Sequence, residues 1–258
     1  SAGKEKDVQI ELLQILSLSF YIAATLSVYR GHQQTSFAWL ACIIHIYGAL
    51  VELGGSSQFS MNGAYAVYFS TAFVVLGFLM SNLRNNIHIL GFFLYPFAAL
   101  SNVFALVAPL PTGHEISFAL KSHILLSIIA FSTIALGALE AILIYILRNR
   151  LKNHKTNALD SFMPPLQTLE TLLFQTISIG TLILSAAIIT SALFVDNFFA
   201  IALLPKTLLT FMAWGLFTVL LIGRRFFGWR GQLVIRITLV GYGLLLISFI
   251  AAKLLVRQ

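Results

Sequence analysis

His45 and Glu52 stand seven residues apart in one apolar run. That is close to two helical turns, so a helix holds both on one face, about 10 Å apart along its axis. A second histidine, His123, opens the long apolar stretch after Lys121, with His114 and Glu115 just before it. Asp196 and Lys206 flank a later break between apolar runs. A neutral imidazole in apolar, aromatic-rich surroundings has two uses. It can ligate a metal, and haem iron suits such a cavity, with Lys121 or Lys206 to meet the propionates. It can also be hydrogen-bonding glue between helices. Ionisable groups inside apolar spans are costly to place, which makes them functional candidates. Spacing alone leaves both uses of His45 and His123 open. His114 reads as a loop histidine, and His32, His88 and His154 as residues of the opposite interface.

The segments that hold these residues belong to a membrane protein. Hydrophobic residues make up 59% of the 258 and charged residues only 10%, with 22 Phe and a mean hydropathy of +0.91. A soluble domain carries about 25% charged residues. The formal net charge of +7 lies mostly in short connections between apolar runs. That pattern sets orientation in a membrane and excludes a nucleic-acid partner. Cys42 is the one cysteine and lies in an apolar run, which rules out an intrachain disulfide and a CxxC site. The first apolar run follows charges of both signs and reaches no small-residue cleavage site, so it is expected to stay as an anchor.

Spans of about 20 apolar residues predict eight transmembrane helices, near 8–28, 37–53, 62–82, 87–108, 117–147, 167–195, 205–223 and 232–255. The second and seventh are short. The fold class is all-α, a polytopic bundle forming a single domain over 1–258, and no run alternates as a membrane barrel strand does. Connections after the first, third, fifth and seventh helices carry Arg30, Arg84, Arg148 to Lys155 and Arg224 to Arg230. The positive-inside bias puts these in the cytoplasm and both termini on the outer, periplasmic side. His45 and His123 then fall in the outer half. Consecutive prolines make Asp160–Pro165 an elbow, and Phe226–Gly231 reads as an aromatic and basic anchor in the headgroup belt.

Glu140 and Glu170 lie in the inner halves of the fifth and sixth helices, where pairing, for example with Arg148, is a structural role. Between Glu140 and His123 the fifth helix offers only Ser127, Ser132 and Thr133, a thin inventory for a proton path. No Walker loop, HExxH or Gly-x-Ser-x-Gly motif is present, and no enzyme is expected.

Four pieces carry a likeness to a known family: His123–Phe131, Met163–Leu166 with Leu169-Glu170, Gly180–Leu184 and Gly228–Gly231. Together they make the chain similar to the cytochrome c assembly (CcsA-like) membrane proteins, in particular the short inner-membrane YpjD/HemX-like branch, over most of 40–255. The resemblance implies a multi-pass protein of the bacterial inner membrane that binds haem, with His123 and His45 as haem iron ligands. The family's tryptophan-rich outer loop is replaced by Asp196–Pro205, without a tryptophan, and the second outer histidine after that loop is missing. The implied role is therefore haem transport or regulation of haem supply. The implied partners are haem, the lipid bilayer and possible membrane protein partners. Two other readings are a small-molecule or ion transporter and a membrane accessory or regulatory scaffold without cofactor.

Overall fold

In hydrocarbon every backbone N–H and C=O must be satisfied within the chain, which leaves the helix as the form for an apolar run. The computed structural model describes residues 2–30, 35–55, 58–59, 63–85, 87–108, 114–115, 117–153, 165–194 and 204–255. Eight helices fill them: α1 Ala2–Tyr29, α2 Ser36–Gly55, α3 Gly63–Asn85, α4 Gly91–Val107, α5 Phe118–Lys152, α6 Leu166–Phe194, α7 Leu204–Phe227 and α8 Gln232–Leu255. One 3₁₀ turn, His88–Leu90, leads into α4. Seven helices are long and apolar enough to cross a membrane, while α2 offers the shorter apolar stretch Ser36–Glu52. The chain is a multi-pass membrane protein of the all-α class.

The expectation of a short seventh helix is corrected. α7 runs on through Arg224, Arg225, Phe226 and Phe227, because nothing there breaks the helix until Gly228, at φ 65°. A left-handed residue just past the last turn is a common helix stop. At its other end α6 starts after Pro165, whose carbonyl accepts from the Thr168 and Leu169 amides at 2.9 and 3.2 Å. The rest of the Asp160–Pro165 elbow lies outside the described residues.

The chain divides into two compact units, Ser1–Lys121 and Ser122–Gln258. In the first, α1 packs on α2 and α4, and α3 on α2 and α4. Polar side chains help to join α1 to α4: the Ser17 hydroxyl donates to Asn102 Oδ1, and Asn102 Nδ2 to the Ala98 carbonyl at 2.8 Å. A two-residue antiparallel ladder pairs β1, Gln58–Phe59, with β2, His114–Glu115, in the register Gln58↔Glu115 and Phe59↔His114. It ties the α2–α3 connection to the α4–α5 connection at one end of the unit, as even-numbered connections require.

In the second unit α7 packs on α6 and α8. α5 and α6 approach closely through glycines: a Cβ on Gly180 would lie 2.6 Å from Ile134, and one on Gly137 2.7 Å from Ile177. Phe131 stacks on Phe249 and meets Tyr242, each with ring centroids 5.5 Å apart, which joins α5 to α8. α6 shows how one helix serves both surroundings. Leu169, Leu173, Ile177 and Leu184 are buried at helical spacing, while Ile179, Leu182, Ile189 and Leu193 are exposed on the opposite face. That outward apolar stripe suits lipid and not water.

Candidate functional site

His45 sits in α2 at the centre of the first unit, with no exposed surface. Its Nδ1 meets the Tyr21 hydroxyl of α1 at 3.2 Å. The Tyr68 hydroxyl of α3 donates to the His45 carbonyl at 3.4 Å, and the Tyr68 ring lies against the imidazole with centroids 4.2 Å apart. Gly48, one turn on, makes room for that hydroxyl, since a Cβ there would come within 2.8 Å of it. Nε2 is buried and has no hydrogen-bond partner. An imidazole oriented through one nitrogen, with the other unpartnered, is the donor arrangement of a metal-ligating histidine. It fits an iron ligand on that count. Glu52 is buried on the same helix, as the spacing predicts.

His123 lies in the second turn of α5, in the second unit, and is half-buried. Its Nδ1 meets the Thr190 hydroxyl of α6 at 3.2 Å, and Ser127, one turn along α5, approaches Nε2 at 3.4 Å. Lys206, near the start of α7, stands close enough to act electrostatically on the ring. α7 is fixed there by Ser248 of α8, whose hydroxyl donates to the Lys206 carbonyl at 3.0 Å. A half-buried imidazole met by two hydroxyls and the Ala187 backbone can exchange one of these contacts for a metal bond. The neighbouring cation suits an anionic substituent of the ligand.

The other sequence candidates separate. His114 is placed by the β1–β2 ladder, of which the backbone alone is described. Asp196, His32 and His154 lie outside the described residues. His88 meets Asn82 Nδ2 at 3.1 Å. Glu140 is fully buried and accepts from the Thr176 hydroxyl at 3.2 Å, whereas the Arg148 guanidinium lies against Gly231. Ser132 and Thr133 donate back to Ile128 and Ile129 of their own helix at 2.7 and 2.8 Å. Among the described residues no three His, Cys, Asp or Glu gather as a metal site. A haem needs only one or two axial ligands. Sequence reasoning missed Tyr21, Tyr68 and Thr190. Their one sequence signal was being polar-tipped residues at depth in apolar helices.

The family model described as Cytochrome C assembly protein matches residues 35–257. The chain belongs to that family. As the cytochrome c assembly likeness required, the match runs through both units. The Inner membrane protein YpjD of Escherichia coli K12 is 29% identical over 162 residues, covering 62% of this chain and 61% of that protein. The YpjD of Escherichia coli O157:H7 gives the same values. The chain thus covers less than two thirds of the length of these relatives. An Azospirillum brasilense protein described as an "Uncharacterized 28.8 kDa protein in nifR3-like 5'region" is 22% identical over 253 residues, 94% of this chain and 93% of its own length. No solved structure matches.

Proposed function

We propose that this member of the cytochrome c assembly family is a haem-handling protein of the inner membrane, serving transport or regulation of haem supply. In this reading His123 would ligate haem iron and His45 would be a further ligand. The observation that carries it is the half-buried His123 imidazole, met by the Thr190 and Ser127 hydroxyls and by the Ala187 backbone, beside the Lys206 cation. Family membership over residues 35–257 supports the choice of haem, and the unpartnered Nε2 supports His45 as a ligand. The missing outer-loop tryptophan supports handling without attachment to cytochrome c. Residues 1–258 act as one domain with both termini outside, the orientation that the arginine-rich connections favour. No catalytic role is assigned.

When bound, haem supplies an iron centre whose potential its axial imidazole tunes. The chain's own contributions are simpler. Thr190 orients the ring from α6, Ser127 meets the second nitrogen, and Lys206 would offer its cation to a propionate. Purified protein from haem-replete cells is expected to show a Soret band that weakens or shifts in His123→Ala. Folded protein that neither contains nor takes up haem would falsify this reading and leave the cofactor-free scaffold, for which a stoichiometric membrane partner is the marker.

A further inference from the structure

We propose that the end of the second unit where α5 stops and α7 turns into α8 binds the phosphate of an anionic phospholipid headgroup. The turn is built by two glycines in the left-handed region, Gly228 at φ 65° and Gly231 at φ 73°. This conformation is strained for residues with a Cβ. Between them the chain folds back, so that the Trp229 amide donates to the Gly223 carbonyl at 3.2 Å and its ring covers Gly223. Arg224 fixes the turn from α7. Its Nη1 donates to the Trp229 carbonyl at 3.4 Å, and its guanidinium lies over the Phe174 ring of α6 at 4.7 Å. Gly231 leaves its Cβ position to the Arg148 guanidinium of α5.

Three arginines of separate elements thus meet this turn: Arg148 of α5 at Gly231, Arg224 of α7 on the Trp229 carbonyl, and the exposed Arg230 of the turn itself. Arg150, at the same end of α5, has a buried Nη1 without a hydrogen-bond partner. Among the described residues the carboxylate at this end of the unit is Glu170, early in α6. Glu140 is deeper and engaged with Thr176. A planar guanidinium fork can grip two oxygens of a phosphate at once.

The surroundings choose lipid over a soluble anion. Phe226 and Phe227 are 77% and 74% exposed beside the exposed Arg225 and Arg230. Large exposed rings flanked by guanidinia suit the acyl–headgroup boundary, where rings enter the apolar side and cations meet phosphate. Arg148 is exposed, with its guanidinium beside the Gly231 backbone. The proposal concerns lipid alone and stands or falls apart from haem binding.

Full-length protein purified in mild detergent is expected to retain phosphatidylglycerol, read by native mass spectrometry and lipid extraction. Retention should fall roughly tenfold in the Arg148→Ala/Arg230→Ala double variant, the scale set by losing charge-assisted contacts. Arg148→Lys should recover little, because an ammonium cannot offer the fork. In nanodiscs, phosphatidylglycerol should raise the wild-type unfolding midpoint over phosphatidylcholine alone, and should not do so for the double variant. If the double variant fails to fold, Arg230→Gln, at an exposed position, should still lower retention about threefold. Equal retention by wild type and variant overturns the proposal. So does inorganic phosphate giving the same midpoint shift as the lipid, which would make the site one for free anions.

Discussion

His45 is closed in by Tyr21 and Tyr68 with no exposed surface, whereas His123 is half-buried and faces the hydroxyls of Thr190 and Ser127. The residue type is the same, but the surroundings give it different work. Around His45 the contacts are rings from α1 and α3, so moving the imidazole means opening the packing of three helices. Around His123 the side-chain contacts are hydroxyls that rotate away at little cost, and Thr190 already donates to the Ala187 carbonyl of its own helix at 3.0 Å. A ligand that must be taken up and released suits the second arrangement. A permanently held one, or a packing role, suits the first. The cost of reaching each imidazole therefore differs.

The largest expected effect lies at His45. His45→Ala removes a fully buried ring, leaves a cavity against Tyr68, and strips Tyr21 of its partner. The cost should be about 3 kcal/mol of unfolding free energy in detergent micelles. A loss below about 1 kcal/mol would mean that the aromatic cage collapses to fill the space. The contrast between a packed and an exchangeable histidine would then be gone.

Why the cage escaped the sequence reading is instructive. The helices were legible because run length and charge decide them locally, and most helix ends fall within a few residues of the expected ones. The exceptions have local causes, Gly228 setting the end of α7 and charged residues extending α1 and α5 beyond the apolar run. Ser127 as a neighbour of His123 follows from helical spacing, since residues four apart share a face. Tyr21, Tyr68 and Thr190 reach their histidines from other helices, across separations of 24, 23 and 67 residues. No periodicity within one segment carries that information. The β1–β2 ladder was hidden for the same reason.

Next in size, and opposite in kind, is His123→Ala. The ring is half-buried and its side-chain partners are hydroxyls, of which Thr190 already has another acceptor, so the change should cost no more than about 1 kcal/mol of stability. Its effect should appear in the Soret region instead. The two alanine variants measured side by side give the sharper result: His45→Ala moves unfolding more, and His123→Ala moves the spectrum with little change in unfolding. A His123→Ala protein as unstable as His45→Ala would show that its hydroxyl contacts are structural glue, the other use open to an intramembrane histidine.

The smallest expected effects test the hydrogen bonds alone. Tyr21→Phe keeps the ring and deletes only the hydroxyl at 3.2 Å from His45 Nδ1. Nε2 already lacks a partner, so this variant leaves both nitrogens of a buried imidazole unsatisfied. That should cost about 1 kcal/mol, the usual penalty of a buried polar group left unmade. Thr190→Val keeps the shape of the side chain and deletes the hydroxyl at 3.2 Å from His123 Nδ1. There the imidazole is half-exposed and can turn toward water or Ser127, so the loss should be roughly 0.5 kcal/mol. Urea titration of the two variants in one detergent checks the order. If Thr190→Val proves the costlier, His123 is the more tightly held of the two, and the exchangeable site must be sought at His45.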